Sequence, residues 1–344
     1  MTQVNRQWCV ADAPGSAGLG LTREQFEYRE SAVPEPAEGE VLIRNVYFSC
    51  DPMNHAWVKG MEERFVAIPV GQPMCGGVSG RVMKSRHPDF KEGDAVTGFL
   101  EFADYTTTGA FDRTGTPLQR IPDGFSLASG LATLGMTGLC AYFGMTDFGR
   151  PRLGDTVVVS GAAGAIGTVA GQLAKLCGAR VIGIAGGSRK GAMLRDDLGF
   201  DATIDYKNED VPARLAALCP DGIDVFFDNV GGAILDAALA NMAHGGRLVI
   251  CGGIAGYNSQ APGLQNHMAL AMRGCTMSGF FFFDYVGRFR EGVDRLARWM
   301  NAGQVKEVLD VADGFDTVPE AALGQFAGAN MGKQLVRIAD DPGA

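Results

Sequence analysis

Histidine is scarce. The 344-residue chain has four, His55, His87, His244 and His267, and none falls at the spacing of a metal-ligand set. Its eight cysteines, Cys9, Cys50, Cys75, Cys140, Cys177, Cys219, Cys251 and Cys275, include no CxxC pair, which excludes a zinc ribbon and a small disulfide framework. Most of them sit in apolar segments and read as small buried hydrophobes in a reducing compartment. Long hydrophobic runs are absent as well: no stretch approaches ~20 uninterrupted apolar residues, and the opening Met1-Thr2-Gln3-Val4-Asn5-Arg6 carries no apolar signal core. Basic runs are missing from a chain of net charge −9, which argues against a nucleic-acid or anionic-membrane partner. With 46% hydrophobic and 20% charged residues, the chain is expected to be a globular cytoplasmic enzyme, and its length asks for two domains.

What is present is a glycine-rich turn between a strand and a helix. Thr156-Val157-Val158-Val159-Ser160 is a short β-branched run of the kind buried on both faces of a parallel sheet. Gly161-Ala162-Ala163-Gly164-Ala165-Ile166-Gly167 follows, and then Ile166, Ala170, Leu173 and Cys177 recur at helical spacing. Small residues there let the backbone approach a pyrophosphate, and the helix N-terminus turns free amides toward the negative charge. Relative to the GxGxxG dinucleotide fingerprint, the first glycine is replaced by Ala162.

Strand-like runs alternate with helical segments from about residue 155 to 283, the pattern of repeated βαβ units. Val181 to Ile184, Ala202 to Ile204, Val225 to Phe227, Leu248 to Ile250 and a run around Met277 to Phe283 complete six strands of an α/β, doubly wound parallel sheet, the Rossmann arrangement. Ligands of such sheets lie beyond the carboxyl ends of the strands. The crevice is therefore lined by Ala163, Gly164, Ala165, Ile166 and Gly167 after the first strand, and by Gly187, Ser188, Arg189 and Lys190 after the second. Tyr206 follows the third strand, Asn229 the fourth, and Cys251, Gly252 and Tyr257 the fifth. The first 125 residues, rich in turn signals and poor in helical periodicity, suit a mostly β domain, and the final strand Gln334 to Ile338 returns to it. The expected division is 1–125 with 305–344, and 126–304.

Four segments identify a family resemblance: Met136-Thr137-Gly138-Leu139-Cys140-Ala141-Tyr142, Val158 to Gly167, Phe227-Asp228-Asn229-Val230-Gly231-Gly232 and Asn330-Met331-Gly332-Lys333. The chain resembles the medium-chain dehydrogenase/reductase superfamily over nearly its whole length. Within it, the resemblance is to the zinc-independent leukotriene B4 dehydrogenase/prostaglandin reductase family, which includes curcumin and alkenal double-bond reductases. It implies a GroES-like catalytic domain beside the Rossmann domain, NADP(H) as cofactor, a 2′-phosphate lysine at Lys190, an adenosine-side tyrosine at Tyr206 and a catalytic tyrosine at Tyr257. Thr137 and Gly138 look like nicotinamide-side contacts, and Asn330 resembles the family's cofactor-contacting asparagine. Two departures are visible: Cys140 stands where relatives often have Thr, and Phe102-Ala103-Asp104-Tyr105 where they carry Trp-Gln-Glu-Tyr.

The residues point the same way independently. An NAD enzyme places Asp or Glu at the end of the second strand, about 20 residues past the glycines, to bind the ribose 2′-hydroxyl. Here that position reads Gly186-Gly187-Ser188-Arg189-Lys190, which offers a 2′-phosphate cations and a hydroxyl instead of a repelling carboxylate. No metal is expected, because Val70 to Cys75 lacks the histidine that zinc relatives carry. Without that Lewis acid, the chemistry that fits is hydride delivery to the β-carbon of an α,β-unsaturated ketone or aldehyde, whose enolate needs only hydrogen-bond donors. Tyr257 either donates to that enolate or packs on the cofactor; Asn229 either positions the nicotinamide ribose or forms an Asx turn. Phe280, Phe281 and Phe282, at the end of the sixth strand, border the crevice and line a pocket for the cofactor and an apolar substrate, or else form the surface of a homodimer. A quinone oxidoreductase and a non-catalytic NADPH-binding protein are the competing readings.

Overall fold

A computed structural model describes residues 4–12, 20–60, 66–257 and 263–343. The chain divides into two units, Met1–Gly135 with Leu309–Ala344, and Met136–Val308. Seven strands precede the division: β1 (Val4–Val10), β2 (Phe26–Ala32), β3 (Val41–Ser49), β4 (Cys75–Ser85), β5 (Ala95–Glu101), β6 (Tyr105–Thr108) and β7 (Gln119–Arg120). Six belong to the second unit: β8 (Thr156–Ser160), β9 (Arg180–Ala185), β10 (Ala202–Asp205), β11 (Ile223–Asp228), β12 (Met242–Ile250) and β13 (Thr276–Gly279). β14 (Leu309–Asp313) and β15 (Lys333–Arg337) return to the first.

The first unit is built on a sheet in the order β14-β15-β3-β4-β5-β7, with β6 paired to β3 and a separate β1-β2 ribbon. The chain ends meet because large apolar side chains from both need burial. Trp8 stacks on Phe315 at 5.9 Å and donates its indole N–H to the Phe315 carbonyl, and β15 pairs with β3 so that Val336 faces Phe48. Phe102 stacks on Phe48 at 4.6 Å, both fully buried. Asp104, two residues on, accepts from Arg6 Nε at 2.8 Å and Arg44 Nη1 at 2.9 Å. Burial works to raise its pKa, but those guanidinium bonds prevail and hold the carboxyl below its usual range. The turn in which relatives carry Trp-Gln-Glu-Tyr is thus spent, at Phe102 and Asp104, on tying strands together.

The second unit is a parallel six-stranded sheet in the order β10-β9-β8-β11-β12-β13. Val157, Val158 and Val159 in β8 are wholly buried, as a central strand covered on both faces requires. The order reverses between β8 and β11, and at such a switch point the ends of neighbouring strands open a crevice. The helix after β8 runs from Ala165 to Leu176 with Ala170 and Leu173 buried, while Cys177, one residue past its last turn, is exposed. Helical spacing alone placed Cys177 on the inner face; the helix stops before it. The last strand is likewise shorter than its apolar run, ending at Gly279. Beyond it the chain winds into a 3-10 turn over Phe282–Arg288, because the aromatic rings pack in three dimensions better than along one strand: Phe280 stacks on Phe148 and Phe282 on Phe289.

Candidate active site

The glycine turn explains its own departure from the fingerprint. The left-handed position is Gly161, with φ of +56°, so residue 162 needs no glycine for its backbone. The Ala162 amide donates to the Ile184 carbonyl of β9 at 3.0 Å, and its methyl occupies space left by Gly183, where a Cβ would come within 2.9 Å of it. At Gly167 no such room exists: a Cβ would lie 2.4 Å from the Gly161 oxygen and 2.6 Å from the Ala162 Cα. The helix that follows begins at Gly164 without a side-chain cap, so its first amides are left for an anion.

A buried polar knot joins the ends of β8 and β11. Asp228, fully buried, accepts from Ser160 Oγ at 2.6 Å and from the amides of Val230 and Gly231 at 3.1 and 3.0 Å. Burial nevertheless pushes its carboxyl above the usual range. Asn229 is clamped beside it, its amide nitrogen on Ser160 Oγ and its Nδ2 on the Ser160 carbonyl, both at 2.8 Å. That leaves Asn229 Oδ1 buried with no hydrogen-bond partner in the protein. An orphaned buried acceptor costs free energy, and a ribose hydroxyl is the donor that would satisfy it. Ser160 and Asp228 lie in two of the segments that carry the resemblance, but nothing in the sequence pairs them.

The loop after β12 is laid against this knot. Cys251 and Gly252 donate their amides to the Asp228 carbonyl at 2.9 and 3.1 Å, and Ala255 donates to the Val230 carbonyl. A 3-10 turn over Ile254–Gly256 then delivers Tyr257, whose amide donates to the Ile254 carbonyl. Desolvation, with Cys251 nearby, pushes the Tyr257 phenol above its ordinary pKa, so it is a neutral donor at physiological pH. The Cys251 thiol hydrogen-bonds to that of Cys140, which raises it well above the ordinary thiol range. Cys140 lies on the helix Met136–Phe143, as do Thr137 and Gly138, so the thiol pair joins that helix to the Tyr257 loop.

At the far end of the crevice, Gly187 has φ of +90° and Ser188, Arg189 and Lys190 open the short helix that follows. Tyr206, exposed at 44%, leaves β10 beside them, its amide donating to the Ala185 carbonyl that ends β9. Lys190→Ala is expected to weaken NADPH about tenfold while leaving NADH unchanged, since one charge-assisted phosphate contact is lost; equal weakening of both in a fluorescence titration would contradict it. Thus the second unit holds together the glycine turn, Lys190, Tyr206, Asn229, Cys251, Gly252 and Tyr257. Phe280 packs on Phe148, and Phe282 is buried on Phe289.

Asn330 belongs to the other unit. Its Nδ2 donates to the Gly332 carbonyl at 2.9 Å, and the adjoining Met331 amide donates to Asp310. Lys333 then forms a buried ion pair with Asp51, which also accepts from Ser49. Burial drives the neighbouring Cys50 thiol up to about 12. Among the described residues no group of three or more His, Cys, Asp or Glu is placed to hold a metal ion.

Two family models match the chain: "N-terminal domain of oxidoreductase" over residues 6–114 and "Zinc-binding dehydrogenase" over 165–298. The NADPH-dependent curcumin reductase of Escherichia coli is 34% identical over 347 residues, 98% of each chain. The NADP-dependent 2-alkenal reductase of Nicotiana tabacum is 38% identical, over 89% of each. The chain belongs to the medium-chain dehydrogenase/reductase superfamily, in the branch of the curcumin, alkenal and prostaglandin reductases. Among solved members of this branch, Vibrio vulnificus CurA in complex with NADPH superposes with a TM-score of 0.89 at 33% identity, covering 97% of this chain and 99% of its own.

Proposed function

We propose that the protein is an NADPH-dependent reductase of the carbon-carbon double bond of α,β-unsaturated ketones and aldehydes, working without a metal. The observation that carries this reading is Tyr257, a neutral, largely desolvated phenol on the loop that is hydrogen-bonded to the Asp228–Asn229 corner. When bound, NADPH would supply a hydride for the β-carbon, which would leave the negative charge on the carbonyl oxygen. Tyr257 is the hydrogen-bond donor for that oxygen, Asn229 holds the ribose through its unsatisfied Oδ1, and the first amides of the Ala165–Leu176 helix take the pyrophosphate. Metal-free chemistry is supported by the side chains themselves: Asp51, next to Cys50, is committed to Lys333 and Ser49.

Loss of NADPH absorbance in the presence of a medium-chain 2-alkenal or an enone, and a saturated carbonyl product, is the expected result. Turnover of quinones with none of enones would instead favour a quinone oxidoreductase, and turnover of neither a cofactor-binding protein without catalysis. We read the active species as a cytoplasmic homodimer. β13 ends the six-stranded sheet, and Met268 and Met272 on the adjoining segment are 57% and 76% exposed. A monomeric mass by light scattering would overturn the dimer. No helix among the described residues is long and apolar enough to cross a membrane.

A further inference from the structure

The parallel pairing of β9 and β10 places Asp205 beside Ala185, so the turns that leave the two strands run side by side. Asp205 staples them: its Oδ1 accepts from the Gly187 amide at 2.8 Å and from the Lys207 amide at 3.1 Å, and its Oδ2 from Asn208 Nδ2 at 2.8 Å. The one carboxylate at the end of β10 is thus occupied by donors from its own turn and from the β9 turn, and is not offered to a ribose hydroxyl. The next acid, Glu209, accepts from the Asp205 amide and pairs with Arg214 at 2.8 Å. Both acids of this corner are committed.

Two of the cations beside them are in no ion pair: Lys207 forms none among the described residues, and neither does Arg189. The stem of Lys207 folds back over the β9 turn: a Cβ on Gly186 would lie 2.8 Å from Lys207 Cε and 2.9 Å from Tyr206 Cε1. Gly186 is therefore a cradle. Its missing side chain lets the Tyr206 ring and the Lys207 stem rest on the turn that carries Ser188, Arg189 and Lys190, with the ammonium bonded directly to the carbon at the point of contact. An exposed, uncommitted ammonium held over a glycine, on a chain of net charge −9, matches a phosphate dianion.

We propose that Lys207 is a specificity-determining residue that binds the cofactor's 2′-phosphate from the β10 side, opposite Lys190, and that Gly186 is glycine to seat it. This rests on NADPH being the cofactor. The test is binding of NADPH, NADH, 2′,5′-ADP and ADP to wild type, Lys207→Gln and Gly186→Ala by fluorescence titration and calorimetry, with kcat at saturating NADPH. Lys207→Gln should weaken NADPH and 2′,5′-ADP about tenfold, the loss of one charge-assisted contact, and leave NADH, ADP and kcat unchanged. Lys207→Arg should keep most of the affinity, and Gly186→Ala, which displaces the Lys207 stem and the Tyr206 ring together, should weaken all four ligands, NADPH and 2′,5′-ADP the most. Unchanged NADH affinity shows that the Lys207 variants are folded. A Lys207→Gln protein with the wild-type preference for NADPH overturns the role of Lys207 alone; a wild type that binds both dinucleotides equally overturns the cofactor reading and this role with it.

Discussion

Tyr257→Phe is expected to lower kcat for an enone about 100-fold while NADPH binds as in wild type. The phenol oxygen is the one atom removed, and the ring that packs in the site remains. Positioned proton donors and oxyanion stabilisers each contribute roughly 10²- to 10³-fold, because they act in a desolvated site on charge that appears only in the transition state. Because burial holds the phenol above its ordinary value of about 10, its protonation does not change through the neutral range, and kcat should be flat from about pH 6 to 9. The loss should be in kcat rather than in KM for NADPH. Full turnover by the Phe variant, with cofactor affinity intact, would reduce Tyr257 to a packing residue.

Gly167→Ala is the second large effect. A methyl there meets the Gly161 oxygen at 2.4 Å, the Ala162 Cα at 2.6 Å and the Ala162 oxygen at 2.8 Å. All three are backbone atoms, so no rotamer relieves the contact, and the helix must move away from the turn to which we assign the pyrophosphate. Overpacking of this kind costs about 1–3 kcal/mol of stability, and a misplaced helix terminus should cost NADPH about 100-fold in affinity. Gly164→Ala is the internal control for stability: its nearest contact in the protein is 3.2 Å, to the Gly161 oxygen, and a shift of a few tenths of an ångström absorbs it. Thermal unfolding of both variants gives the comparison, with NADPH titration of Gly167→Ala beside it. Equal losses of stability at the two positions would mean that the packing of helix on turn is not what Gly167 protects.

The Rossmann sheet is legible in the sequence because its inner strands are local β-branched or apolar runs, while the edge strand Thr276–Gly279 is marked only by the aromatic run that follows it. The cofactor preference is legible for a different reason: an acid is missing after the second strand. What the sequence hides is the contact between distant segments. Ser160 and Asp228 are 68 positions apart and read separately as a strand end and a turn acid; only the adjacency of β8 and β11 makes them the clamp on Asn229. Asp104 sits in a segment that the sequence shows only as a departure from the resemblance, yet it bonds Arg6 across 98 positions. The same holds for Ala162, an apparent defect in the fingerprint. The left-handed turn has moved one residue back, to Gly161, and Gly183 on the neighbouring strand makes room for the methyl.

The central claim is hydride transfer to the β-carbon of an enone, and NADPH carrying deuterium at both C4 positions tests it directly. Incubated with the protein and a 2-alkenal or enone, the labelled cofactor should give the saturated carbonyl compound with one deuterium on the β-carbon, seen by mass spectrometry and proton NMR. Deuterium on the carbonyl carbon, with the double bond intact and an alcohol as product, would contradict the account.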